Sequence, residues 1–315
     1  MSVFNIHHIT KYEYDRPVKE SVNEIRIYPV LDKEQELLSH EVNITENPDV
    51  LLIYDYWHNR TGMFNLMSPH TELIIESKLI VRTLGSSKKP GTISGDFDAL
   101  YNEVNNNLSF LDLCILEEPD LRNEIMSISN EIKKPGSSVG DFVESCSDYI
   151  FKNFRYIKGI TTVETTISEI LKLRSGVCQD FAHLMLEILR SLQIPSRYVS
   201  GYICPNKNGM RGEGATHAWV EAWIPGFGWT GIDPTNNTWV SDHHVKLAVG
   251  RNFNDCSPIK GTFKGPAKQS LSVYVSIGYE DGHKFEDITK VKLEKMSEED
   301  PDADLLASFA GQQQQ

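Results

Sequence analysis

The sequence predicts an α+β protein in two parts, a β-rich N-terminal module and then a unit in which helices precede an antiparallel sheet. Three observations predict it. Alternating apolar residues mark the first eighty positions, a helical period dominates from about residue 139 to 192, and alternation returns from residue 196 onward. The modules are placed at 1–85 and 95–295, with an acidic, polar tail over 296–315.

In the first module Phe4, Ile6, His8, Thr10, Tyr12 and Tyr14 alternate with Asn5, His7, Lys11, Glu13 and Asp15, the period-2 pattern of a half-buried strand. Tyr54 and Tyr56 precede a turn-like stretch at 58–62, and beyond it Leu73, Ile75, Leu79 and Val81 share one parity. The Gly-, Ser- and Pro-containing run 84–91 marks the boundary. In the second module Val139, Phe142, Val143, Cys146, Tyr149 and Ile150 recur at helical spacing behind Ser138, an N-cap residue, so a helix is expected over 139–152. Thr166 and Glu169 make a capping box that opens a short helix through Leu173. Leu184, Met185, Ile188, Leu189 and Leu192 define a third helix that Pro195 stops. Strands follow at 196–203, at 218–223 and 229–233 around a turn at 225–228, and at Leu271, Val273, Val275 and Ile277.

Composition narrows the function. With 315 residues, 40% hydrophobic and 24% charged, the chain has length for about two packed domains and is not a disordered polymer. Its 31 basic and 44 acidic side chains give a net charge of −13, which repels phosphate backbones and disfavours nucleic acid as a partner. The N-terminus lacks a basic segment followed by an apolar one, and no run approaches the ~18 apolar residues of a membrane span. No membrane partner is expected, and a cytoplasmic protein is. Cys114, Cys146, Cys178, Cys204 and Cys256 lie far apart with no CxxC pair, which reads as five thiols. Neither His7-His8 nor His243-His244 has zinc-ligand spacing and no calcium loop is recognisable, so no metal or cofactor is expected.

One thiol stands apart. Cys178 follows Gly176 and Val177 immediately before an apolar helical period, so its sulfur faces the partial positive charge of a helix start, which favours thiolate. Its own backbone N–H is a candidate oxyanion donor. A base must come from elsewhere in the chain, and His217 begins the strand 217–223. If the hairpin turn centres near position 225, Glu221 lies opposite Trp229, Trp219 opposite Gly231 and His217 opposite Asp233. Asp233 is then the carboxylate that orients the imidazole, provided the register does not slip by one. Asp180 and His183 read as helix-end and packing residues. Trp219, Trp223, Trp229 and Trp239 either wall a cleft or pack the hairpin, with packing preferred for at least half of them.

The stretches 175–184 and 196–202, with 216–221 and 231–235, resemble the bacterial transglutaminase-like cysteine protease superfamily, with Cys178, His217 and Asp233 in that family's order. The N-terminal module and the segment 249–255 are similar to those of the bacterial branch. The resemblance implies a papain-like core, a helix bearing cysteine packed on an antiparallel sheet. It implies acyl transfer through a thioester, with Cys178 as nucleophile, His217 as acid and base, and Asp233 as orienting group. Papain relatives carry a glutamine six residues before the cysteine, but Lys172 stands there, which leaves Gln179 or an aromatic as second oxyanion donor. The expected substrate is a peptide or protein amide and hydrolysis is preferred. Crosslinking by a transglutaminase, and a non-catalytic peptide-binding scaffold, are the alternatives.

Overall fold

The computed structural model describes residues 2–85, 93–204, 210–212 and 215–279, and the backbone of two further strands over 284–292 and 307–310. The N-terminal part comprises β1 (Ser2–Val18), β2 (Glu20–Ile25), β3 (Gln35–Ile44), β4 (Leu51–Tyr54), β5 (Arg60–Leu66) and β6 (His70–Thr83). The helical part holds α1 (Phe97–Asn105), α2 (Arg122–Ile132) and α3 (Val139–Asn153), then β7 (Arg155–Tyr156), α4 (Ile167–Leu173), β8 (Ser175–Gly176) and α5 (Cys178–Ser191). A sheet follows from β9 (Ser196–Ile203), β10 (Ala215–Ile224), β11 (Gly228–Asp233), β12 (Thr238–Trp239) and β13 (His244–Gly250). The chain closes with α6 (Phe253–Cys256), β14 (Ile259–Lys264), β15 (Gln269–Tyr279), β16 (Lys284–Lys292) and β17 (Ala307–Ala310). Among the described residues no helix is long and apolar enough to cross a membrane.

Local chemistry accounts for the helices near the site. Ser138 and Asp141 form a reciprocal capping box at α3, and Thr166 with Glu169 forms another at α4. The apolar face of α5, including Phe181, Met185 and Ile188, is fully buried in a core shared with Phe142 and Val143 of α3 and Val220 of β10. That burial fixes the helix against the sheet β12-β11-β10-β9-β13. The result is the expected α+β arrangement of a cysteine-bearing helix on antiparallel strands.

The late strands depart from the expected division. β15 buries Leu271, Val273, Val275 and Ile277 as the alternation predicts, yet it pairs with β1, and β14 pairs with β2. The C-terminal segment therefore completes the two N-terminal sheets, β16-β15-β1-β6-β3 and β17-β14-β2-β5-β4, instead of the sheet of the second module. The physical reason is that β1 has backbone N–H and C=O groups to pair along both edges, and periodicity identifies a strand without naming its neighbour. Of the expected tail, residues 307–310 form β17 against β14, and the remainder lies outside the described residues.

The N-terminal part also seals the edge of the other sheet. Gln35 donates from Nε2 to the Lys246 carbonyl at 2.8 Å and accepts the Lys246 N–H at 2.8 Å. Asn59 does the same at Val249, with bonds of 2.7 and 2.8 Å. Two amide side chains thus imitate a neighbouring strand along β13, each bond worth about 1 kcal/mol. Lys246 adds ion pairs to Asp32 at 3.1 Å and to the buried Glu221 at 2.5 Å. β13 is held in place by residues some 190 to 211 positions away in sequence.

Candidate functional site

The position of Cys178 is built by the corner that precedes it. β8 ends at Gly176, Val177 is extended, and α5 begins at Cys178, which places the sulfur at a helix start. Asp180 folds back so that its Oδ2 accepts the Val177 N–H at 2.7 Å and the Thr161 hydroxyl at 2.6 Å. A Cβ at Gly176 would meet that oxygen at 2.5 Å, so glycine leaves the only space into which the carboxylate fits. Burial raises the Asp180 pKa, and the two bonds oppose the rise. Asp180 is the helix-end residue expected, and His183 likewise packs, accepting the Phe253 N–H at 3.1 Å.

His217 and Asp233 meet below that sulfur. The imidazole Nε2 lies 2.8 Å from Asp233 Oδ2, and both side chains are fully buried. The hairpin register differs by two residues from the expected one: Val220 pairs with Ile232 and Trp223 with Trp229. A three-residue connection, 225–227, moves the turn centre to Gly226. The slip is even, so His217 and Asp233 stay on one face and become diagonal neighbours instead of direct opposites.

Electrostatics distinguish this histidine. Burial disfavours its charged form, but the Asp233 carboxylate and then the Cys178 sulfur act more strongly together, and the pKa rises to about 10. The Cys178 side chain contributes both charge and a hydrogen bond to the ring. For Asp233, burial is likewise overcome by His217, and its pKa falls well below the ordinary carboxylate range. Burial pushes the Cys114 thiol up to about 11 and raises Cys146, Cys204 and Cys256 as well. All five cysteines are free thiols, as expected.

Asp233 has further partners that sequence reasoning missed. Its Oδ1 accepts the Thr235 N–H at 2.9 Å, and its Oδ2 accepts Asn236 Nδ2 at 2.8 Å and contacts His244 Nε2 at 3.4 Å. His244 Nδ1 accepts the Ser241 N–H at 3.3 Å, which leaves its proton on Nε2 as a donor to Asp233. The only signals were the polar run after Asp233, which includes Asn236, and the pair His243-His244, considered above solely for metal. Among the described residues no group of three or more His, Cys, Asp or Glu could hold a metal ion.

The tryptophans divide. Trp219, fully buried, stacks with His217 at 6.4 Å and meets His244 edge-on at 5.2 Å. Trp223 donates to Glu103 at 2.6 Å and packs on Trp229 and Phe110, bracing the hairpin tip. Tyr156 packs on Phe181 of α5, with ring centroids 6.4 Å apart. Its hydroxyl and His217 Nδ1 lie 3.6 and 3.4 Å from the point a Cβ at Gly212 would occupy.

Comparison with known proteins gives the family and the fold. Residues 126–234 match the transglutaminase-like superfamily, and residues 4–82 match the bacterial transglutaminase-like N-terminal region. An uncharacterized protein of Mycobacterium leprae is 30% identical over 285 residues, covering 86% of this chain and 96% of the relative. A protein-glutamine gamma-glutamyltransferase of Pseudomonas aeruginosa is 42% identical over 67 residues, 20% of this chain and 10% of that protein. The crystal structure of a "Putative Cysteine Protease" from Cytophaga hutchinsonii superposes with a TM-score of 0.70 at 18% identity, covering 98% of this chain and 96% of that one. At that identity the likeness speaks for the fold.

Proposed function

This chain belongs to the transglutaminase-like superfamily, and on that premise we propose that it is a thiol enzyme cleaving amide bonds of peptides or proteins. Cys178 is the nucleophile, His217 the proton carrier and Asp233 the group that orients and charges the imidazole. The observation that carries the reading is the fully buried His217, with Nε2 2.8 Å from Asp233 Oδ2 and its ring in interaction with Cys178 at the start of α5. A protonated imidazole beside the sulfur favours thiolate.

The steps follow from that pair. The thiolate attacks the substrate carbonyl carbon, and the carbonyl oxygen takes the charge. N–H groups at the start of α5, that of Cys178 among them, are the donors assigned to receive it. As the C–N bond breaks, imidazolium gives its proton to the leaving amine, and a thioester and neutral His217 remain. His217 then takes a proton from water, the hydroxide adds to the thioester carbonyl, and the C–S bond breaks. The carboxylic acid leaves and the thiolate–imidazolium pair is restored. Water is the preferred acceptor because it needs no second binding site.

A second reading, transfer to an amine with crosslinking, draws its support from the 67-residue likeness to the Pseudomonas aeruginosa enzyme. A scaffold role would need the cysteine and histidine apart, and the Cys178–His217 interaction speaks against it. Mass spectrometry of a peptide library incubated with wild type and Cys178→Ala, with and without an added primary amine, separates the three. Cleavage, or exchange of ammonia for water at side-chain amides, lost in Cys178→Ala supports hydrolysis. A mass gain of the amine less ammonia selects crosslinking, and an unchanged library contradicts both enzymatic readings.

A further inference from the structure

The second histidine on Asp233 stands at the end of a turn, residues 241–244, that the N-terminal module grips from outside. On the inner side of the turn His244 reaches Asp233 Oδ2 at 3.4 Å, with its Nδ1 fixed by the Ser241 N–H at 3.3 Å. The His244 N–H donates to the Ser241 carbonyl at 3.2 Å, and the His243 N–H donates to Ser241 Oγ at 3.3 Å. The shape of this turn therefore sets where the His244 ring points.

On its outer side the turn meets the ends of β1 and β6. Thr83, buried at the end of β6 and paired with Ser2, has its hydroxyl 2.7 Å from the Asp242 carbonyl and 3.2 Å from that of Ser2. A hydroxyl has one proton to give, and the nearer carbonyl takes it. Ser2 Oγ donates to Asp242 Oδ2 at 3.2 Å, and the buried Phe4 ring lies against His243 with centroids 6.2 Å apart. The two middle residues of the turn are thus held by side chains of the other module, 159 and 240 positions away for the two bonds to Asp242.

Resting on the thiol-enzyme reading, we propose that Thr83 is a positioning residue: through the turn 241–244 it keeps His244 as a donor on Asp233, which makes the N-terminal module part of the catalytic arrangement. Thr83 fixes Asp242, the turn around Asp242 fixes the His244 ring, and His244 steadies the carboxylate that orients His217. Without the Thr83 hydroxyl the Asp242 carbonyl is released from β6 and the His244 ring is free to turn away.

Ring ¹⁵N NMR of the histidine-labelled full chain tests this without a substrate. Burial lowers the His244 pKa, so at pH 8 the ring is neutral and its two nitrogens report the tautomer. Asp233, His217, His243 and Asp242 are the ionisable groups around the turn, and Thr83→Val leaves all four in place. Wild type should carry the His244 proton on Nε2. In Thr83→Val the Nδ1–H tautomer should rise about tenfold, while Thr83→Ser, which keeps the hydroxyl, should resemble wild type. His70, at the far end of β6, and His183, on α5, should not move. Kinetics supply a second readout. Thr83→Val should lower kcat about fivefold with KM unchanged, and in a His244→Gln background the same change should cost less than about 1.5-fold, because the two residues act in series.

A His244 ring unchanged in Thr83→Val overturns the proposal, and so do His70, His183 and His244 all moving together or Thr83→Ser behaving like Thr83→Val. Losses in kcat that multiply in the double variant overturn it too, since they belong to packing and not to His244. If Thr83→Val does not fold, Ser2→Ala carries the test with a smaller change in the same direction, and an unchanged His244 tautomer there overturns the proposal. Absence of Cys178-dependent turnover in wild type would instead defeat the thiol-enzyme reading, and the tautomer measurement would still decide whether Thr83 holds His244.

Discussion

Two fully buried histidines lie on adjoining sheets of this protein and end in opposite states. His8, on β1, hydrogen-bonds the Tyr202 hydroxyl at 2.8 Å and Thr10 at 3.2 Å, and burial with the nearby His7 lowers its pKa to about 4. His217, on β10, suffers the same burial but faces Asp233 and Cys178, and its pKa rises to about 10. Both rings are equally dry. Burial silences a histidine, and a paired carboxylate turns the same burial into a source of basicity, because the ion pair is unscreened by water. His8 is satisfied by neutral hydroxyls, whereas His217 meets a carboxylate.

The largest expected effect comes from removing the sulfur. Cys178→Ala should abolish turnover, a loss on the order of 10⁴-fold or more, with an unchanged melting temperature, measured on whichever peptide the library selects. Activity retained in that variant breaks the contrast at its origin. Asp233→Asn comes next, with a loss of about 10³- to 10⁴-fold in kcat. It should also lower the His217 pKa, followed by ring NMR, because the carboxylate's charge is lost while burial, opposed by Cys178 alone, remains.

pH dependence of stability separates the two rings further. His217 gains affinity for its proton on folding, so its contribution is complete below the unfolded value of 6.5 and is lost as pH climbs toward about 10. His8 has the reverse sign. It is neutral when folded, so stability falls as pH drops from 6.5 toward about 4. Denaturant midpoints across pH should therefore lose the alkaline slope in Asp233→Asn and the acid slope in His8→Phe. His8→Phe should cost about 1–3 kcal/mol by stranding the Tyr202 hydroxyl while leaving kcat within about twofold of wild type. Within the site the smallest effect is expected from His244→Gln, about tenfold in kcat with KM unchanged, since an amide can still donate to Asp233.

Much of this contrast was legible in the residues themselves. Alternation from Phe4 to Tyr14, the caps at Ser138 and Thr166, and the helical period after Cys178 are local signals, and each produced the expected element. The order of Cys178, His217 and Asp233 was legible because a helix start and a hairpin are short-range structures. The register was off by two because Pro225, Gly226 and Phe227 form a three-residue connection, and composition alone does not fix which residue sits at its centre. Gln35 and Asn59 carried no signal at all. They cap β13 across the whole fold, and an amide side chain that imitates a strand looks in sequence like any surface polar residue. Nor did alternation at Leu271 to Ile277 say that the strand would pair with β1.

The central claim is that His217 is held as a cation beside Cys178 by Asp233, and ring ¹⁵N NMR of histidine-labelled wild type across pH measures it directly. The account predicts His217 protonated on both nitrogens through neutral pH and losing a proton only near 10, with His8 neutral over the same range. A His217 ring that is neutral at pH 7, or that titrates alongside His8, contradicts it.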